Sequence, residues 1–249
     1  MSARRVFTTS RNGTASPNKT SSCYLDGRYV NVALADVDEF IPQPIVAEIV
    51  FDVNGKLLSE VISSEPIELN EGMNIARVVV RSTYMLHSAL LWIDTSRSVA
   101  WLTDTVRDGN NAHDAAAKST AYSHMEKART ALYRMMEQYV AALVGYTFTV
   151  ERIIVPDTKQ TGCKQHGYCN SYVIKQVLDY VAGKEFDSNV DILQFTAMIE
   201  DTYGDKLDAT QPPEVEYFFG VGAGLGLGLI GGVALGAALA SSSTNRRGW

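Results

Sequence analysis

Cysteine is scarce in this chain, with three in 249 residues (Cys23, Cys163 and Cys169). An odd, small number, together with an N-terminus that lacks an apolar signal core, excludes a disulfide framework and points to a reduced compartment. There is no CxxC pair and no His/Cys set at finger spacing, so neither a structural zinc site nor any other metal or cofactor is expected. Acid is missing from both ends. Residues 1–22 carry Arg4, Arg5, Arg11 and Lys19 alone, and residues 217–249 carry only Arg246 and Arg247. Since the net charge is -6 and the two ends contribute +4 and +2, the middle holds -12. An acidic body of that kind does not clamp phosphate, which excludes a nucleic-acid-binding function.

Charge of either sign is absent from Tyr217 to Ala240, a run of 24 residues. That length crosses a hydrocarbon core of about 30 Å as a helix, so a C-terminal transmembrane helix is expected over 217–240. Gly220, Gly224, Gly228, Gly232 and Gly236 recur every four residues within it, a stripe that allows a second helix to approach closely. With no N-terminal signal and only nine residues after the span, the pattern is that of a tail anchor with its globular part on the cytosolic side. Arg246 and Arg247 against Glu214 and Glu216 bias the orientation weakly the other way. The expected layout is therefore a flexible basic arm (1–22), a globular domain (23–211), a linker (212–216), the anchor (217–240) and a short polar tail (241–249).

The body carries enough apolar residues, 46% overall, for one full-sized core of mixed α and β elements. Ile45–Val53 and Lys56–Ile62 flank an Asn54-Gly55 turn and form a hairpin. Asn74–Arg81, His87–Ile93 and Val99–Leu102 are further strands, rich in Val, Ile, Leu and Trp. From about Ala112 to Val144 the spacing predicts a long helix, with Tyr122, Met125, Leu132, Met136, Tyr139 and Leu143 on one core-facing stripe. A strand over Tyr146–Val155 ends at Pro156, a polar loop runs to Gly167, and helices follow over Cys169–Val181 and Val190–Tyr203.

Two places on this framework carry chemistry. If Asp94-Thr95-Ser96-Arg97 forms the turn of the next hairpin, Trp92 faces Val99, Leu90 faces Trp101 and His87 faces Asp104. Directly opposed Cβ atoms lie about 4.5–5.5 Å apart. His87 and Asp104 would then form a carboxylate–imidazole pair, or, with a one-residue shift of the turn, a diagonal one. The same residues also suit a plain ion pair at the strand ends. Cys169 opens a helix after a polar, glycine-bearing loop. A thiol there has its thiolate stabilised by free backbone N–H groups and the helix dipole, although a lone cysteine is equally an ordinary small core residue. Those N–H groups and the Gln165 side-chain amide can hold the oxyanion of a tetrahedral intermediate.

The order of the pieces is histidine at a strand start, acid on the returning strand, then glutamine and cysteine at a loop-to-helix junction. It resembles the cysteine proteases that process ubiquitin-like modifiers and the adenovirus-type endopeptidase. The motifs are His87-Ser-Ala-Leu-Leu-Trp-Ile-Asp94, Leu102-Thr-Asp104-Thr and Gln165-His-Gly-Tyr-Cys169-Asn-Ser-Tyr-Val. The likeness spans roughly residues 74–182. Ser88 stands where the family usually has Trp, Asn170 where it has Gly, and the Gln-to-Cys gap is short, which keeps Gln160 open as the oxyanion donor beside Gln165. Cys163 is a rival nucleophile without a helix behind it. The long helix between acid and nucleophile resembles an insertion.

The resemblance implies an α+β, papain-like fold with a central mixed or antiparallel sheet flanked by helices. Cys169 would be the nucleophile, His87 the base, Asp104 the orienting acid and Gln165 the oxyanion donor. The implied activity is a membrane-anchored thiol protease acting on peptide or isopeptide bonds in a protein substrate, of the divergent type found in large DNA viruses and virion-associated. A thioesterase or acyltransferase would use the same nucleophile. The alternative is an inactive minor capsid protein that binds other capsid proteins and tethers a viral shell to its internal membrane.

Overall fold

A computed structural model describes residues 25–107, 115–143, 145–156 and 168–207, excepting the side chains of 107 and 115–122. The basic arm, Cys23, Gln160, Cys163, Gln165, the side chain of Tyr122, the linker, the 217–240 segment with its glycine stripe, and the tail all lie outside the described residues. Six strands form one mixed sheet: β1 (Phe40–Phe51), β2 (Leu57–Ile62), β3 (Met73–Ser82), β4 (Leu86–Asp94), β5 (Val99–Arg107) and β6 (Thr147–Val155). Their order across the sheet is β2-β1-β3-β4-β5-β6, with β1–β3 and β5–β6 parallel and the other neighbours antiparallel. The helices are α1 (Arg28–Ala33), α2 (Ala115–Ala141), α3 (Cys169–Val181) and α4 (Ile192–Tyr203), and a 3-10 turn follows at Gly204–Lys206. The expected α+β class holds. No helix among the described residues is long and apolar enough to cross a membrane.

Alternation along the central strands sends side chains to two separate cores. Ala76, Val78 and Val80 of β3 and Ala89, Leu91 and Ile93 of β4 pack with Ala128, Leu132, Met136 and Val140 of α2. Ile75 of β3 and Leu90 and Trp92 of β4 pack instead with Val30 and Leu34 near α1, Val173 and Val177 of α3, and Ile192, Phe195 and Ile199 of α4. Because both faces are covered, the middle of β4, Ala89 to Ile93, is an unbroken apolar run, and all but the first residue of the strand are buried. The predicted stripe of α2 faces its core, with Leu132 and Met136 fully buried and Met125, Tyr139 and Leu143 at its margin.

Several boundaries moved for physical reasons. β1 begins at Phe40, five residues before the expected start, and the β1–β3 ladder shifts register between Ile41 and Ile45. Pro42 and Pro44 lie in that gap, where a residue without an N–H cannot continue the ladder. β5 runs on to Arg107 because β6 pairs with it in parallel over its whole length. Helix α1 was not anticipated; it is only six residues long.

Candidate active site

The β4–β5 turn fixes the centre's geometry. Asp94 pairs with Val99 and Trp92 with Trp101, so the turn is Thr95–Ser98, not the expected Asp94–Arg97. Asp94 ends the strand and caps the turn, its Oδ1 accepting from Ser96 N at 3.0 Å, Ser96 Oγ at 2.5 Å and Arg97 N at 3.2 Å. Ser98 takes the left-handed conformation with φ 53°. These local bonds hold Asp94 as the last residue of the strand and set the turn one residue later. They correct the expected pairing: His87 is not directly opposite Asp104, and the two meet beyond the end of the β4–β5 ladder.

The pairing of β4 with β5 runs from Asp94–Val99 to Leu90–Thr103 and goes no further among the described residues. Beyond it the first residues of β4 and the second half of β5 separate, and the site lies at that split. His87 Nε2 meets Asp104 Oδ1 at 2.5 Å, with the histidine 8% exposed and the aspartate 0%. Asp104 Oδ2 accepts from Arg129 Nε at 3.1 Å and from the Tyr133 hydroxyl at 2.6 Å. Arg129 Nη1 also donates to Glu126 Oε1 at 3.2 Å, and Arg152, the β6 neighbour of Asp104, donates to the same oxygen at 2.9 Å.

Cys169 is the first residue of α3, half-buried and reduced, after Tyr168, which supplies no side-chain cap. Its sulfur lies near enough to the His87 ring and the backbone N–H of Ser88 for both to favour its thiolate. Because Asp104 occupies Nε2, the ring atom left for the sulfur is Nδ1. Two buried bonds hold the first turn of this helix. Asn170 Nδ2 donates to Leu25 O at 2.7 Å, and Ser171 Oγ lies 2.7 Å from Thr196 Oγ1. Thr196 gives its own proton to Ile192 O, so Ser171 is the donor to Thr196.

The charges in this cluster support one another. Burial alone would lower the His87 imidazole and raise the Asp104 carboxyl and the Cys169 thiol. For His87 that burial effect is outweighed by the charge and hydrogen bond of Asp104, then by the Cys169 sulfur, and the imidazole is pushed up to about 9. For Asp104 it is outweighed by His87, Arg129 and Tyr133, and the carboxyl is pulled down to about 2. For Cys169 the His87 hydrogen bond and charge, the Ser88 N–H and the nearby Arg77 guanidinium outweigh burial and hold the thiol below its ordinary value. The cluster therefore favours an imidazolium between a carboxylate and a thiolate.

The three residues His87, Asp104 and Cys169, singled out from the sequence, come together in space, while Gln165 and its rivals Gln160 and Cys163 lie outside the described residues. Arg77, Arg129 and Tyr133 escaped notice. Arg77 had a visible signal, being a charge inside the apolar run of β3; it is 1% exposed and donates from Nε to Ser88 Oγ at 3.3 Å. Glu126, Arg129 and Tyr133 recur at helical spacing on α2, which was the available signal for them. Among the described residues no three His, Cys, Asp or Glu side chains converge as metal ligands.

No family model and no curated protein matches this chain. Solved structures do. A SUMO protease Ulp1 with its catalytic cysteine oxidized to a sulfenic acid is 18% identical, over 55% of this chain and 55% of that one, with a TM-score of 0.30. The Ulp1 protease domain in complex with SMT3, the yeast ortholog of SUMO, is 16% identical over 51% and 49%, with a TM-score of 0.27. The Legionella pneumophila effector RavZ is 12% identical over 64% and 50%, with a TM-score of 0.37. The chain spans about half the length of these solved chains. At TM-scores this low, what the site does rests on its own geometry.

Proposed function

We propose that this protein is a thiol protease-like hydrolase of papain-like fold, with Cys169 as nucleophile, His87 as general base and acid, and Asp104 as the group that orients and charges His87. The observation that carries the reading is the short His87–Asp104 contact with the Cys169 sulfur beside the same imidazole at the start of α3. In this reading the thiolate attacks a peptide or isopeptide carbonyl carbon. The carbonyl electron pair moves onto oxygen, where N–H groups at the α3 start, with Gln165 or Gln160, would meet it. As the C–N bond breaks, the leaving amine takes the Nδ1 proton of His87 and an S-acyl enzyme remains. Water, deprotonated by His87, then releases the acid and regenerates the thiol.

The motif resemblance to proteases that process ubiquitin-like modifiers suggests the substrate class, proteins carrying such a modifier. The apolar segment 217–240 would hold the body at a membrane, on its cytosolic side, with the glycine stripe available for helix pairing. Virion association belongs to the same proposal. The test is turnover of ubiquitin-like modifiers bearing a fluorogenic C-terminal amide, compared between the full chain and Cys169→Ala. Expected is measurable release that falls at least about 1,000-fold in the variant. No release by the parent, together with a Cys169 that resists iodoacetamide at pH 7, would leave the inactive capsid-tethering reading in its place.

A further inference from the structure

The helix α2, which the family resemblance suggests is an insertion, reaches directly into the centre. Two of its residues reach Asp104, Tyr133 and Arg129 both bonding Oδ2, and a third at helical spacing, Glu126, holds the far side of the Arg129 guanidinium. Arg129 is buried, with only 8% of its side chain exposed, whereas Glu126 and Arg152 are 42% and 43% exposed. The result is a row of alternating charges, His87, Asp104, Arg129, Glu126 and Arg152, that runs from the buried centre to the surface. One carboxylate oxygen serves the imidazole and the other serves α2.

We propose that Arg129 and Tyr133 are positioning residues of this centre, which fix the Asp104 carboxylate and share its charge, so limiting how tightly Asp104 holds the proton on His87. The inference rests on the protease reading for its purpose. A general acid must release its proton to the leaving amine, and an imidazolium bound to an unshared buried carboxylate would release it reluctantly. Without α2, all of the Asp104 charge would act on His87. The Arg129 cation and the Tyr133 hydroxyl, by drawing electron density toward Oδ2, weaken Oδ1 as an acceptor. Around the imidazole the charged and titratable groups are Asp104 of β5 and Cys169 of α3. Behind them stand Arg129, Tyr133 and Glu126 of α2, Arg152 of β6 and Arg77 of β3.

The effect has a sign that a merely structural role does not share. In Arg129→Met the carboxylate keeps His87 and Tyr133 as partners, stays ionised and acts more strongly on the ring. The His87 titration should then move upward by about one pH unit. Tyr133→Phe, a milder change, should move it in the same direction by less. Arg129→Lys keeps the cation and should return the titration to within about 0.3 pH unit of the parent. The measurement is the NMR titration of the full chain with labelled histidine, the His87 signal being assigned by its loss in His87→Gln among the four histidines. If Arg129→Met and Tyr133→Phe lower the unfolding temperature but leave the His87 titration within about 0.2 pH unit, or move it downward, the inference is overturned. Turnover is read separately. A titration that rises as stated in a chain without peptidase activity supports the coupling and counts only against the protease reading.

Discussion

Replacing Asp104 by Asn removes one charge from the centre of the cluster while keeping the side chain's size. His87 is raised from 6.5 to about 9, which corresponds to about 3 kcal/mol favouring the imidazolium. Asp104 is the largest contribution in that direction and burial opposes it. In Asp104→Asn the imidazole should therefore titrate at or below its ordinary value and be neutral at pH 7.5. The Cys169 thiol then loses its main stabilising charge and returns to about 8.5 or higher. For a thiol of about 8.5 the thiolate fraction grows about 200-fold between pH 6 and pH 9. The assay is the rate of Cys169 alkylation by iodoacetamide, followed by mass spectrometry of its peptide, taken as the ratio of the rates at pH 9 and pH 6. Using a ratio within one protein cancels the lower intrinsic nucleophilicity of a low-pKa thiolate. The parent should show a ratio at least about tenfold smaller than the variant, because its thiolate persists to lower pH. Equal ratios would refute the imidazolium–thiolate pair.

Two further outcomes follow from charge and packing. In the imidazolium–thiolate pair the folded parent keeps its one proton on His87, while between about pH 6.5 and 8 the unfolded chain keeps it on the thiol, so over that interval the pair gives little pH slope. In Cys169→Ala only His87 remains, still raised by Asp104 but less than in the parent, its stabilisation full below about 6.5 and lost as pH rises through its folded value; urea denaturation should show the variant losing stability between about pH 6.5 and 8 and the parent not, and parallel curves would count against the pair. Leu132→Ala empties a fully buried position between α2 and the sheet. It should cost about 2–5 kcal/mol in the same measurement without changing the alkylation ratio, and a cost below about 1 kcal/mol would mean that α2 is not tightly packed there.

What was readable in the sequence depended on how local its physics is. The helix start at Cys169 was legible to the residue because a polar glycine-bearing loop gives way to 3.6-residue periodicity. Pairing of His87 with Asp104 was legible because two apolar strands joined by a short turn leave few registers. The register itself was set by three bonds to the Asp94 carboxylate and by φ at Ser98, details that composition does not reveal. Arg129 and Tyr133 sit beside the apolar stripe of α2, where a charged residue and a tyrosine usually mean a solvated flank. Their partner lies 29 and 25 positions earlier for Tyr133 and Arg129 respectively, and only the packed fold reveals it. The two parallel pairings were likewise hidden, since nothing in an apolar strand states the direction of its neighbour.

The bonds that hold the first turn of α3 have a consequence in the order of synthesis. Asn170 is tied to Leu25, among the first residues of the body, and Ser171 to Thr196, close to its last. A ribosome that has finished the sheet and even α3 has not yet supplied α4, so at that point the start of α3 rests on the sheet and the Leu25 tie alone. A nascent or truncated chain ending before residue 196 would contain every residue of the centre in sequence and still lack one of the two buried ties that seat its nucleophile.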